Sequence, residues 1–257
     1  PKAITAIIVG SGLSISGLLM QTLFRNPLAG PFVLGISSGA SLGVALLILG
    51  ASFLGANITA YAFTNWGLAI ASSVGAFLVL LAVMLAAIKV RNTMSILIIG
   101  LMFGSLTSAV ISILAYFSSP NQLQQFLFWS FGSLGNLSWN EISALLLLYL
   151  VGIVFMLFII KPLNSLLLGE NYAKSLGVNI KRTRNFTMIA TSLLTGAITA
   201  FSGPIAFIGL AVPHLTKLLF NTSNHKILLP AVAISGAIIM LICDSISQLP
   251  NSEYTLP

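Results

Sequence analysis

The sequence predicts an all-α fold, a polytopic bundle of transmembrane helices, on three observations. Eight long apolar runs fill almost all of the 257 residues. The chain is 57% hydrophobic and 6% charged, with mean hydropathy +1.05, where a soluble domain carries about a quarter charged residues. Nearly every basic residue falls on one side of the runs when they are threaded alternately through a bilayer.

A hydrocarbon core of roughly 30 Å takes about 20 apolar residues per helix. The runs lie at 3–24, 33–54, 61–90, 93–118, 139–160, 183–201, 204–220 and 227–249. They lack the ten-residue alternation of an outer-membrane barrel. The first is too long, and has too many successors, for a cleaved signal peptide. Connections are short, so residues 1–257 read as one transmembrane domain.

Span one carries Gly10, Gly12 and Gly17 with Ser11, Ser14 and Ser16, a face for close helix packing in lipid. Arg25-Asn26-Pro27-Leu28-Ala29-Gly30-Pro31 then enforces a turn. Gly35-Ile36-Ser37-Ser38-Gly39 follows at the opening of span two, and span three starts with the interfacial Tyr61 to Trp66. Ser118-Ser119-Pro120-Asn121 breaks span four. Phe126, Phe128, Trp129 and Phe131 fit an interfacial helix, with a ligand-stacking platform as the alternative. Lys161-Pro162 ends span five. Leu163 to Leu176 predicts one short amphipathic helix stopped by Gly177, resting on lipid headgroups or on a partner. Gly203-Pro204 separates spans six and seven. Pro213-His214 kinks span seven or ends it, marking a packed break or part of a pathway. Gly30-Pro31 with Gly35 and Gly203-Pro204 with Gly209 form a faint inverted echo.

Alternate threading puts Arg25, Lys89, Arg91, Lys161, Lys174, Lys181, Arg182, Arg184, Lys217 and Lys226 on one side, with Lys2 opposite. The positive-inside rule makes the basic side cytoplasmic and both termini external. Glu170 is the acid on the basic side; Glu141 and Glu253 lie opposite, and Asp244 sits near the outer end of the last span. The net charge of +7 therefore reflects orientation rather than nucleic-acid binding.

Several chemistries are excluded. Cys243 is the sole cysteine, so the chain makes no internal disulfide and no cysteine-based metal site. Gly35-Ile36-Ser37-Ser38-Gly39 fits G-x-S-x-G but lacks the strand–turn–helix context. Gly10-Ser11-Gly12 lacks a third glycine at Ile15, and no G-x-x-x-x-G-K-[ST] loop exists. Two histidines and four acids do not assemble a metal site: His214 reads as a helix-end residue and His225 as loop. No catalytic residue and no metal ligand is expected. Asp244 reads as an interfacial acid bonded to Ser245 or Ser247. A carrier coupled to protons or sodium buries ionisable groups along its path, so the energy is expected from a bound ATPase.

Gly12-Leu13-Ser14-Ile15-Ser16-Gly17-Leu18-Leu19-Met20-Gln21, Leu23-Phe24-Arg25-Asn26-Pro27-Leu28-Ala29 and Leu34-Gly35-Ile36-Ser37-Ser38-Gly39-Ala40 resemble the opening signature of a permease family. Its members import iron–siderophore complexes, haem and cobalamin as membrane subunits of binding-protein-dependent ABC importers. Leu167-Leu168-Gly169-Glu170 through Ala173 and Ser175-Leu176-Gly177-Val178 are similar to its cytoplasmic coupling segment. Gly203-Pro204-Ile205 through Phe207-Ile208-Gly209-Leu210 and Val212-Pro213-His214 are similar to its late-span signature.

The resemblance implies a ten-span permease, of which this chain would be a fragment lacking one helix at each end. It implies a second permease subunit in a homodimer and two cytoplasmic ATPase subunits that bind ATP and Mg, this chain holding no cofactor itself. It also implies an extracytoplasmic binding protein, a metal-chelate substrate and a multi-pass location in the bacterial cytoplasmic membrane. Leu168, Gly169, Glu170, Ala173, Leu176 and Gly177 would enter the ATPase cleft. Lys2 stands where the family often has an arginine that pairs with a carboxylate of the binding protein; lysine lacks the bidentate fork. Ser37, Ser38, Gly100, Gly104, Ser105 and Thr107 are candidates for a weakly polar path. Gln21, Asn26, Pro27, Gly39, Gly203, Pro204, Gly209 and Pro213 are candidates for the path or the packing around it. The rivals are a secondary transporter for a small organic solute, an intramembrane hydrolase using Ser37, and a structural scaffold.

Overall fold

A computed structural model describes residues 1–50, 64–88, 90 and 93–248. Among them the only regular structure is helical: α1 (Lys2–Phe24), a 3-10 turn (Pro31–Leu34), α2 (Ile36–Ile48), α3 (Asn65–Ile88), α4 (Thr93–Tyr116), α5 (Pro120–Phe131), α6 (Trp139–Leu157), α7 (Ile160–Leu167), α8 (Glu170–Ser175), α9 (Ile180–Ser202), α10 (Ile208–Phe220) and α11 (His225–Ser247). Tyr61, Lys89, Arg91 and Glu253 to Pro257 lie outside the described residues. The all-α polytopic bundle stands, and a helix occupies each of the eight expected runs. α1, α3, α4, α6 and α11 are long and apolar enough to cross a membrane.

The chain forms two compact units. The first comprises Pro1–Pro31, Leu137–Thr195 and Ala206–Pro257, and α1 is its core helix. In α1, 83% of the most apolar stretch is buried, against 17% to 33% in the other four long helices, so α1 is solvated by protein rather than lipid. Lipid gives apolar helices little reason to associate, so close approach at small residues must hold them. The carbonyl of Gly236 on α11 sits where a Cβ on Gly10 would stand, and the Gly209 carbonyl of α10 does the same at Gly17.

The second contact resolves the role of Pro213. The helix runs on through it, so Pro213 neither ends span seven nor opens it. Proline lacks the N–H that would bond the carbonyl four residues earlier, which is Gly209. That freed oxygen lies against the Cα hydrogen of Gly17, a weak C–H···O partner inside the protein. The break is packed.

The second unit comprises Phe32–Asn136 and Gly196–Ile205. Gly39 and Gly43 on α2 meet Gly75 and Ala71 on α3, both pairs spaced four apart so that one small-residue face lies on the other. Gly100 on α4 packs on the Val33 carbonyl. Val44, Ala45, Ile48 and Leu49 form a cluster with Leu68, Leu114, Phe126 and Trp129. The aromatic residues Phe126, Phe128, Trp129 and Phe131 lie on the short helix α5, begun by a capping box between Ser119 and Gln122.

Some expectations need correction. Spans two and seven are shorter than read: α2 and α10 have 13 residues each, about 20 Å of helix. Gly35 at φ 71° and Phe207 at φ 67° impose left-handed starts that no α-helix can run through. The expected single helix over Leu163 to Leu176 is two, α7 and α8, because Gly169 at φ 117° turns the chain between them. Pro162 opens α7 rather than ending span five, which stops at Leu157; a first turn tolerates proline. Glu141 is buried in the first turn of α6, where its carboxylate accepts from the Ser138 N–H at 2.7 Å.

Gly17→Val should lower stability by about 1–3 kcal/mol or more, since backbone must move to admit the side chain. Gly196→Ala, whose nearest neighbour would be Ile36 at 3.9 Å, should stay within about 0.5 kcal/mol. Thermal unfolding of the purified protein in detergent checks both.

Candidate functional site

The candidate coupling segment is built on α7 and α8. Leu163, Leu166 and Ala173 are buried and seat it on the first unit, while Leu167, Leu168, Tyr172 and Leu176 are exposed. Glu170 opens α8, and Lys174 is in its last turn. Gly177 at φ 79° closes it: its N–H donates to the Lys174 carbonyl, and the Val178 N–H to that of Ala173. This pair of bonds is a Schellman stop. The result is a short rigid projection with an apolar ridge, a surface suited to a protein partner.

Two sets of bonds tie the projection to the long helices. Arg25 caps the end of α1 at φ 50°, and its Nη2 donates to the Leu166 carbonyl at 2.7 Å. Asn164 Oδ1 accepts from the His225 N–H at 2.9 Å and lies 2.7 Å from His225 Nδ1. His225 Nε2 lies 2.8 Å from Thr22 Oγ1. One buried histidine thus joins α7, α11 and α1. Sequence reasoning read His225 as loop, but it is the first residue of α11 and 1% exposed. The missed signal was Asn224, an N-cap residue type directly before an apolar run; its side chain accepts from the Lys226 N–H.

Beside these bonds lies a cleft of about 560 Å³ with Gln21, Arg25, Asn26, Pro27, His214 and Lys217 in its wall. Gln21 Nε2 donates to the Leu210 carbonyl at 2.9 Å, fixing α1 to α10. His214 is exposed at mid-helix in α10, not at a helix end.

At the other ends of α1 and α11, Lys2 Nζ and an Asp244 carboxylate oxygen are 3.0 Å apart. Asp244 also accepts from Gln248 Nε2 at 2.8 Å. This corrects the expected pairing: Ser245 donates to the Leu241 carbonyl, and Ser247 to the Asp244 backbone rather than its carboxylate. Lys2 at the start of α1 and Asp244 near the end of α11 lie at the same end of an antiparallel pair, which puts them within reach.

The candidate path residues Ser37, Ser38, Gly39, Gly100, Gly104, Ser105, Thr107, Gly203 and Pro204 belong to the second unit, and Gln21, Asn26, Pro27, Gly209 and Pro213 to the first. Ser37 Oγ is buried without a hydrogen-bond partner among the described residues. Ser38 Oγ faces Gly104. Ser105 and Thr107 donate to the carbonyls of Leu101 and Gly104. Gly203 and Gly132 meet backbone to backbone, and the Ser133 N–H donates to the Ser202 carbonyl at 2.9 Å. Residues 32–136 and 196–205 contain no histidine and no acid, so Ser37 has no Ser-His-acid partners in its own unit. Among the described residues no group of three histidine, cysteine or acidic side chains is placed to hold a metal. Sequence reasoning also missed a ladder on α9: Thr183, Thr187, Thr191, Thr195 and Thr199 recur every fourth residue and all are buried. Thr195 donates to Ser16 on α1 at 3.1 Å.

Asn164→Ala should cost about 1–3 kcal/mol, because it strips the His225 N–H of its acceptor. Leu168→Ala, at an exposed position, should change stability by less than about 0.5 kcal/mol. Denaturation of both variants in detergent reads the difference.

Comparison with known proteins places the chain. The family model for the FecCD transport family matches residues 1–257. The vitamin B12 import system permease protein BtuC of Salmonella typhi is 34% identical over 258 residues, covering 100% of this chain and 76% of that protein. BtuC of Salmonella agona (strain SL483) is 33% identical over the same shares. A solved structure described as an inward-facing metal-chelate type ABC transporter matches with TM-score 0.89 and 31% identity, covering 100% of this chain and 79% of that one. A family match over the whole length, with relatives at a third identity, shows that the chain belongs to the FecCD transport family.

Proposed function

We propose that the chain is the permease of a binding-protein-dependent ABC importer that carries a metal chelate across the bacterial cytoplasmic membrane. Iron–siderophore, haem and cobalamin are the candidate cargoes; BtuC relatives favour cobalamin, and the metal-chelate transporter fits all three. Residues 1–257 act as one permease domain beside a second copy. Two ATPase subunits bind ATP and Mg, and an external binding protein delivers the chelate. The chain itself supplies no catalytic group, and the metal arrives already ligated.

The observation that carries this reading is the braced projection of α7 and α8. Leu168, Gly169, Glu170, Ala173, Leu176 and Gly177 form the element that the ATPase grips. A push there reaches α1 through the Arg25 bond to Leu166 and reaches α11 through Asn164 and His225. Movement of these helices then opens or closes the path, with no covalent step in this chain. In the first unit, Gln21, Asn26 and Pro27 serve the path or the packing around it. Ser37, Ser38, Gly100, Gly104, Ser105 and Thr107 line it with small, weakly polar groups that suit a bulky cargo. Gly39, Gly203, Pro204, Gly209 and Pro213 hold the packing around it. Lys2 docks the binding protein by exchanging Asp244 for a carboxylate of the partner. Lys2 is the more exposed partner, its side chain 31% exposed against 11% for Asp244, so a partner can reach its ammonium.

Glu170→Lys should leave the bundle folded but cut uptake per ATP hydrolysed by about tenfold, equivalent to about 1.4 kcal/mol of coupling. Proteoliposomes holding permease and ATPase read both rates together. Unchanged uptake per ATP would remove Glu170 from the contact, and uptake driven by an ion gradient without the ATPase would favour a secondary transporter.

A further inference from the structure

A second cleft, of about 700 Å³, lies within the first unit beside the end of α6, the start of α7 and the start of α9. Its size falls in the roughly 300–1,000 Å³ range of ligand-binding clefts. Lys161 and Arg182 supply its cations, and Phe158, Ile159, Val178 and Phe186 its apolar wall. No acid lines it. Among the described residues neither cation has a carboxylate within ion-pair distance. The Arg182 guanidinium carbon is 5.5 Å from the centroid of the Phe186 ring, a cation–π contact that holds the charge over the apolar wall. Phe186 in turn packs on Phe155 of α6, centroids 5.9 Å apart.

The cleft also adjoins an uncovered apolar face. Leu147, Leu150, Val154 and Leu157 are all exposed and, at spacings of three and four, fall on one side of α6; exposed Phe158 extends the row to the cleft. On a membrane-spanning helix such a row is a surface for an acyl chain. Two cations without acidic partners at its basic end complement a phosphate. Either half alone is common. The two together, at the headgroup end of one helix, fit a single amphipathic anion.

We propose that this cleft binds an anionic phospholipid, its phosphate between Lys161 and Arg182 and one acyl chain along α6. Leu176 and Gly177, the last residues of the candidate coupling segment, line the same cleft. A bound lipid therefore forms part of the seat of α8.

The test uses the intact protein in nanodiscs of phosphatidylcholine with a minor share of phosphatidylglycerol. A fluorophore is attached through Ser165→Cys, on the cleft wall, in a Cys243→Ser background. Phosphatidylglycerol with brominated chains should quench it at a much lower mole fraction than brominated phosphatidylcholine. Lys161→Gln and Arg182→Gln should each reduce that preference about fivefold. Arg182→Lys, which keeps the charge, should retain it, and Lys226→Gln, away from the cleft, should leave it intact. Equal quenching by both lipids would overturn the proposal and leave the cleft to a protein partner. Loss of the preference in millimolar inorganic phosphate would overturn it in favour of a free-anion site.

Discussion

The bilayer as solvent is the constraint on which the structure depends. Inside it every backbone polar group needs a partner from the protein, and apolar side chains gain little by touching one another. Helices satisfy the first demand. The second leaves close backbone approach as the means of assembly, and the chain meets it with glycines in matched places: Gly10 against Gly236, Gly17 against Gly209, and Gly39 against Gly75. The Gly17 contact serves both demands, since it also covers the carbonyl that Pro213 frees. Were Gly17 larger, α10 would lose both its seat and the cover of its break.

In the first unit this packing makes α1 the member through which the functional ends communicate. Its start pairs with Asp244 of α11, its middle with Gly236, and its end with His225 and Leu166. The polar ties sit at the two ends, and the tight glycine contacts lie between. Helices locked in that way move as rigid bodies, because packed interfaces shift between discrete arrangements rather than deform. In the proposed transport cycle, a nucleotide-driven push on the α7–α8 projection would therefore reach the core helices without being absorbed by soft loops.

Much of the fold was legible because lipid permits few solutions. Hydropathy alone located eight helical runs, and glycine and proline punctuated most of their ends. The α7–α8 segment stood out in the sequence through its resemblance to a coupling segment and through Glu170, the one acid among the basic ends. What escaped the sequence was pairing across long separations. Nothing near Asp244 announces Lys2, 242 positions away, so the neighbouring serines looked like its partners. His225 looked like loop because its partners, Thr22 and Asn164, lie in other helices. The threonine ladder of α9 was visible as a period of four and went unread, since threonines in a polar-looking segment drew no attention beside the arginines. Left-handed residues such as Phe207 have no compositional signal at all, and with them went the true length of span seven.

Threading is the central claim, and thiol accessibility tests it most directly. Lys2→Cys and Lys174→Cys are placed separately in a Cys243→Ser background and treated in intact cells with a membrane-impermeant maleimide. The account predicts labelling at position 2 from outside, and labelling at position 174 only after the membrane is opened. Labelling of both positions from the same side would contradict it.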